Sequence, residues 1–232
     1  MKKKQIAQLG ITLGLVAAVG VGGTLALLQA NTDPVTNTFT VGNGLKDKDL
    51  QLDETDVDDS TPDAERDKAN TYENIEPQSE LTKDPQVRVS NAADVADCYV
   101  FIKVDGCDAF LATVNAGLNT ENGDVLSDFK NWNKGWVKIN TNGSLSDDTN
   151  DYDGLYVWGK VADGVLTATK ITDGLTANVF DAITLSKDAA LYTNGAGKTL
   201  NNITIDACAV QATSANSAYA DAVGELPQAF IN

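Results

Sequence analysis

The stretch "DPQVRVSNAADVADCYVFIKVDG", residues 84–106, holds the two segments that decide the fold. "DPQVRVSN" and "DCYVFIKVDG" are rich in β-branched residues and bounded by Pro, Asn and Gly, the composition of strands between turns. In the second, Cys98, Val100, Ile102 and Val104 share one face under the two-residue period of a β-strand. On the C-terminal side, "DAFLATVNAGLN" fits a short helix or a strand, and its residues do not decide between them. Then "NWNKGWVKIN", "DGLYVWGKVA", "GVLTATKIT", "ANVFDAITLS" and "LNNITIDACAVQA" follow, separated by turn signals such as "NTNGS", "ADG" and "TNGAG". Many short strands at this spacing predict an all-β domain, a β-sandwich or jelly roll. The segment "SANSAYADAVGEL", residues 214–226, predicts a short peripheral helix, with residues 227–232 as a tail. No internal repeat is visible.

On the N-terminal side, "VTNTFTV" puts Val35, Asn37, Phe39 and Val41 on one face and three threonines on the other, again the period of a strand. Between it and Asn74 the chain turns acid-rich and short of aromatics. Residues 46–76 therefore read as a solvated insertion, with one helical turn after Thr61-Pro62.

The chain has 232 residues, 42% of them hydrophobic, with 19 glycines and only five prolines, which predicts one globular domain. Its start, "MKKKQIAQLGITLGLVAAVGVGGTLA", joins three lysines to an uncharged apolar stretch and a small-residue ending, the pattern of a secretory signal peptide. Small side chains at Thr24 and Ala26 favour cleavage before Leu27 over cleavage after Ala30. An uncleaved membrane anchor is the competing reading, because residues 5–32 carry no charge. Cleavage removes three lysines and no acids, leaving 14 basic against 33 acidic residues and a net charge of −19. Such a surface repels nucleic acid and anionic lipid.

Three cysteines, Cys98, Cys107 and Cys208, leave an odd count for a secreted chain. One disulfide with one spare thiol and three buried reduced cysteines are equally open readings.

The chain contains no histidine, which removes Ser-His-Asp and Cys-His catalysis, the HExxH motif and any His-ligated metal. "NGAGKT", residues 194–199, mimics a phosphate loop, but the required first glycine falls at Tyr192 and a hairpin turn is the better reading. "DDTNDYDG", residues 147–154, fails as an EF-hand because Thr149 and Lys160 occupy its first and twelfth positions. A looser calcium site, there or among Asp53, Glu54, Asp56, Asp58 and Asp59, stays open against the favoured reading of solvated acidic runs. Trp132, Trp136, Tyr156 and Trp158 are candidates for a sugar-stacking platform, with core packing favoured for Trp136 and Trp158. Leu226-Pro227 lacks the rest of a sortase motif.

Four stretches carry a resemblance: "GGTLALLQANTDPVTNTFTVGN", "NIEPQSELTKDPQVRVSNAADVADCYVFIKV", "NWNKGWVKIN" with "DYDGLYVWGKVADGVLTATKITDGLTANVFDAITL", and "ITIDACAVQATSANSAYADAV". Taken in order, they resemble the exported proteins processed by the SipW type of signal peptidase, the family that includes the biofilm fibre protein TasA and camelysin. The chain departs from that pattern at Pro77-Gln78, at Ala92-Ala93 and in its long acidic insertion. The resemblance implies a signal peptide over 1–26, a mature N-terminal strand in 27–43 and a jelly-roll domain over 44–226. It implies a secreted, non-enzymatic subunit of extracellular matrix fibres, in which Val35, Asn37, Phe39 and Val41 belong to a strand donated to the next copy. The partners it implies are the chain itself and a SipW-type peptidase reading Thr24, Ala26 and Leu27, with membrane contact only before processing. Two alternatives accompany it: a monomeric surface module binding glycan or protein, and a camelysin-like metallopeptidase, disfavoured by the absence of histidine.

Overall fold

The structure is a computed structural model that describes residues 29–31, 45–58, 65–91, 95–148, 150–212 and 219–231. Among the described residues the protein is mostly β, with antiparallel sheets and a few short helices. No described helix is long and apolar enough to cross a membrane.

The largest sheet is built on β6 (Cys98–Asp105), which pairs with β15 (Thr204–Gln211) on one side and β9 (Gly154–Ala162) on the other. Strand β8 (Trp136–Ile139) and β10 (Val165–Ala168) add to β9, while β1 (Gln29–Asn31) adds to the outer edge of β15. The second sheet runs β11 (Leu175–Asn178), β5 (Gln86–Val89), β2 (Leu50–Thr55) and β3 (Arg66–Asp67). A third joins β4 (Glu80–Leu81), β12 (Ala182–Thr184) and β7 (Asp128–Lys130). The run "ANVFDAITLS" is therefore two strands in two sheets, divided at the buried Val179 and Phe180.

Strand β6 explains the core. Its residues Cys98, Val100, Ile102 and Val104 share the expected face and pack with Val87, Val89, Phe180 and Ile183 in one large cluster. Its opposite face is also apolar, and Tyr99 and Phe101 join a second, smaller cluster with Val157, Cys208 and Val210. The cover on that face comes from α2 (Tyr219–Gly224) and α3 (Gln228–Ile231), through Ala222, Val223 and Phe230, with Leu226 in the turn between the helices. A strand covered on both sides reads as a continuous apolar run. Residues 227–232, expected as a tail, thus carry a helix whose Phe230 is buried. Lys103, also on β6, donates from Nζ to the Ala229 carbonyl at 2.8 Å and ties this helix down.

The undecided "DAFLATVNAGLN" is helical over α1 (Cys107–Val114). Gly106 turns into it at φ 86°, and a Cβ there would lie 2.0 Å from the Asn202 carbonyl oxygen. The Asp153 carboxylate accepts from the Cys107 N–H at 2.7 Å, and Asp108 accepts in return from the Tyr152 and Asp153 N–H groups. This reciprocal lock satisfies donors that a helix start leaves open. "NGAGKT" lies in a hairpin of β13 (Tyr192–Thr193) and β14 (Ala196–Gly197), whose Asn194-Gly195 turn takes positive φ at both residues.

The acidic insertion is corrected most. Leu50–Thr55 is an inner strand, flanked by β5 and β3, and Leu50 and Glu54 are buried. Its acids enter a sheet because cations meet them there. Arg66 Nε lies 2.5 Å from Asp53 Oδ1 and Nη1 lies 3.0 Å from Asp84 Oδ2, while Arg88 also pairs with Asp53 and Lys83 Nζ lies 2.8 Å from Glu54. The helical turn expected after Thr61-Pro62 falls outside the described residues.

Candidate functional site

The two edges of β15 differ. Its inner edge meets β6 in eight consecutive pairs, from Thr204 opposite Asp105 to Gln211 opposite Cys98. Its outer edge meets β1 in three pairs: Gln29 opposite Val210, Ala30 opposite Ala209 and Asn31 opposite Cys208. Among the described residues, no strand pairs with the outer edge from Thr204 to Ala207. An open strand edge presents unused N–H and C=O groups that template pairing with another chain.

Beside this open stretch lies a groove of about 1630 Å³. One wall is the chain entering β15, where Leu200, Ile203 and Ile205 are half-buried against the core; the facing wall carries Leu50, Leu52 and Ile75. Leu50 and Leu52 on β2, and Ile203 and Ile205 on the chain entering β15, lie at strand spacing, with the polar Gln51, Asp53, Thr204 and Asp206 between and beside them also on the groove.

The facing wall is held by the ion pairs of β2 and β3. Arg66 Nη2 donates to the carbonyls of Asp53 and Asp84 at 3.0 and 2.9 Å, so one guanidinium joins β3, β2 and the chain before β5. Burial works against the Arg66 charge, but its hydrogen bonds and attraction to Asp53 and Asp84 outweigh that and raise its pKa. Burial also opposes the Asp84 charge. The Thr55 N–H at 2.7 Å, Arg66 and the Thr55 hydroxyl overcome it and hold Asp84 below the usual carboxylate range. Tyr72 closes the wall by donating to the Thr82 carbonyl at 2.8 Å.

Of the sequence-predicted site residues, Thr24, Ala26, Leu27, Val35, Asn37, Phe39 and Val41 lie outside the described residues. The edge of β15 and the Arg66 wall are additions that sequence reasoning missed. The available signal was "LQLDET" followed by "ER": two leucines at strand spacing, with acids whose partners lie in later segments.

The other candidates are placed as follows. Trp132 is stacked on Phe180 with centroids 5.5 Å apart and packs against Phe129, Tyr152 and Tyr156, so its ring belongs to an aromatic cluster at the core margin. Trp136 is buried, and Trp158 meets it edge to face at 5.1 Å. Tyr156 is buried and donates to the Tyr152 carbonyl.

Asp53 and Glu54 are committed to cations, and Asp56 and Asp58 accept backbone N–H groups; Asp59 lies outside the described residues. In the 147–154 loop, Asp148 pairs with Lys138 and Asp153 caps α1. Among the described residues, no group of three or more acids or cysteines is placed to hold a metal ion.

All three cysteines are free and buried. Cys98 belongs to the large core and Cys208 to the smaller one, on opposite faces of the same sheet. Burial pushes both thiols up to about 12, and pushes Cys107 up as well, so they stay protonated at neutral pH.

Comparison with family models, with curated proteins and with solved structures returns no match to this chain.

Proposed function

We propose that the protein is a secreted, non-enzymatic fibre subunit with a jelly-roll sandwich, polymerising when residues 35–41 of one copy enter the β15 edge of the next. The observation that supports this reading is the outer edge of β15 from Thr204 to Ala207, which no strand among the described residues pairs with, beside a groove of mixed polar and apolar lining. Strand addition supplies main-chain hydrogen bonds along such an edge, while alternate side chains fill pockets. The donor "VTNTFTV" is uncharged, β-branched and seven residues long, against the eight of β15. At ~3.3 Å per residue it spans about 23 Å. Phe39 is its largest anchor, and Val35, Asn37 and Val41 share its face.

The magnitudes fit a reversible but specific joint. About seven main-chain hydrogen bonds at ~1 kcal/mol each, with burial of Phe39 and two valines at ~2 kcal/mol each, are of the same order as the ~4–15 kcal/mol cost of association. Because donor and acceptor are different surfaces, the joint repeats head to tail and does not close on itself. Processing by a SipW-type peptidase before Leu27 would free the donor from the membrane.

Electron microscopy of the mature chain, with and without residues 27–43, tests the proposal. Filaments from the mature chain and none from the truncated one are expected. If both stay monomeric across pH and concentration, strand donation is wrong.

A further inference from the structure

Three Asn-Gly steps lie among the described residues, at Asn122-Gly123, Asn142-Gly143 and Asn194-Gly195, and the fold holds them differently; a fourth, Asn43-Gly44, lies outside them. In such a step the glycine nitrogen can attack the asparagine side-chain amide, because glycine has no Cβ to obstruct the approach. The attack needs that nitrogen unengaged. Gly123 N–H donates to the Thr120 carbonyl at 3.0 Å, closing the short helix Thr120–Asn122. Gly143 N–H donates to the Asn140 carbonyl at 2.8 Å, and the Asn142 side-chain oxygen accepts from the Ser144 N–H at 2.9 Å. Gly143 also sits against the buried Val223, where a Cβ would lie 3.0 Å from Cγ2. Among the described residues, neither the Gly195 N–H nor the Asn194 side chain has a hydrogen-bond partner. Their hairpin is held by two pairs, Tyr192 opposite Gly197 and Thr193 opposite Ala196, and every residue from Tyr192 to Gly197 is exposed. A two-stranded hairpin with no buried face opens easily.

We propose that Asn194 is a site of spontaneous deamidation, the first of the three to react. Opening of the turn, in which Asn194 holds φ 51°, frees the rotation that brings the Gly195 nitrogen to Asn194 Cγ. That nitrogen gives its proton to water or hydroxide and bonds to Cγ, the Cγ–Nδ2 bond breaks, and ammonia leaves. The product is a cyclic succinimide. Water then opens the ring at either carbonyl, so the net change is an amide nitrogen replaced by a carboxylate oxygen, with nothing oxidised or reduced. One opening gives aspartate. The other gives isoaspartate, in which the backbone runs through the side-chain carbon and gains a methylene. A two-residue turn fixes the register of its strands, so the longer backbone takes Thr193 and Ala196 out of alignment. No part of the step needs a second copy, and the site is independent of strand donation.

Peptide mapping by mass spectrometry, on the mature chain aged folded in buffer and unfolded in urea, tests the site. In the folded chain the Asn194 peptide is expected to convert several-fold faster than the Asn122 and Asn142 peptides. In urea the three rates are expected to converge, because the hydrogen bonds at Gly123 and Gly143 are gone. Conversion at Asn194 no faster than at the other two in the folded chain overturns the proposal. An equal lead in buffer and in urea also overturns it, since flanking sequence rather than the fold would then set the order. Electron-transfer fragmentation of the converted peptide is expected to show isoaspartate beside aspartate at position 194. Aspartate alone overturns the cyclic route.

Discussion

The two halves of β15 lie in different surroundings although they are one strand. Ala207, Cys208, Ala209 and Val210 are all buried, with β6 along one edge and β1 along the other from Cys208 to Val210. The large core lies on the face of Ala207 and Ala209, and the smaller core on the face of Cys208 and Val210. Thr204, Ile205 and Asp206 alternate exposed, half-buried and exposed, and open onto the groove. Among the described residues, the same backbone thus serves as core at one end and leaves its outer edge without a paired strand at the other. If the proposed strand donation holds, stability resides in the first half and association in the second, so substitutions in the two should separate the two properties.

The largest effect is expected where the buried half is undermined. Phe101, fully buried and opposite Cys208, fills the smaller core against Tyr219 and the C-terminal helices. Phe101→Ala should cost about 3–5 kcal/mol of unfolding free energy by urea titration. A loss below ~1 kcal/mol would mean that the α2–α3 cover is not a core.

A smaller effect is expected at the groove wall. Arg66→Ala leaves Asp84 without its cation and Asp53 with Arg88 alone. Because these groups are partly exposed, the expected loss is about 1–2 kcal/mol, in the same titration. Wild-type stability would mean that β3 is held by other contacts.

The pH dependence is smaller still. The Asp84 pKa is depressed in the folded state, so its contribution is present above the unfolded value of ~3.9 and is lost as pH falls through the lower folded value. Unfolding followed from pH 6 downward should therefore show a steeper loss in the wild type than in Arg66→Ala. Parallel curves would remove Arg66 as a source of the depression.

The least change in stability is expected at the open half. Thr204→Lys adds a charge to an exposed edge position and should leave the monomer within about 0.5 kcal/mol. It should also slow fibre growth, because a lysine blunts strand pairing. Stability and growth falling together would erase the distinction between the halves.

Legibility in the sequence followed how many faces each strand has covered. The face of Cys98, Val100, Ile102 and Val104 was readable because it obeys the two-residue period; the second face, with Tyr99 and Phe101, depends on helices more than a hundred residues later. Strand β2 was hidden for a different reason. Two leucines followed by Asp53 and Glu54 look solvated until Arg66, Lys83 and Arg88 are brought alongside. The hairpin at Asn194-Gly195 was legible because its turn is set locally, by residues that accept positive φ. For the site, a strand-like alternation was visible at residues 35–41, but the edge opposite it was not. An edge is defined by which strands fail to pair, and no local pattern records that. The cysteine count likewise left a disulfide open, and only the structure, in which all three cysteines are free and buried, decides between the two readings.

The position of β15 between β1 and β6 also sets an order of events in time. Both neighbours precede it by about a hundred residues or more. As the chain is synthesised from its N-terminus, β1 and β6 wait without their shared partner until Thr204–Gln211 has been made. Closing such long loops is the slow part of forming a non-local sheet. The outer edge of β15 and its pairing with β1 therefore come into being in the same late event, and no earlier stage of the nascent chain holds the finished sheet.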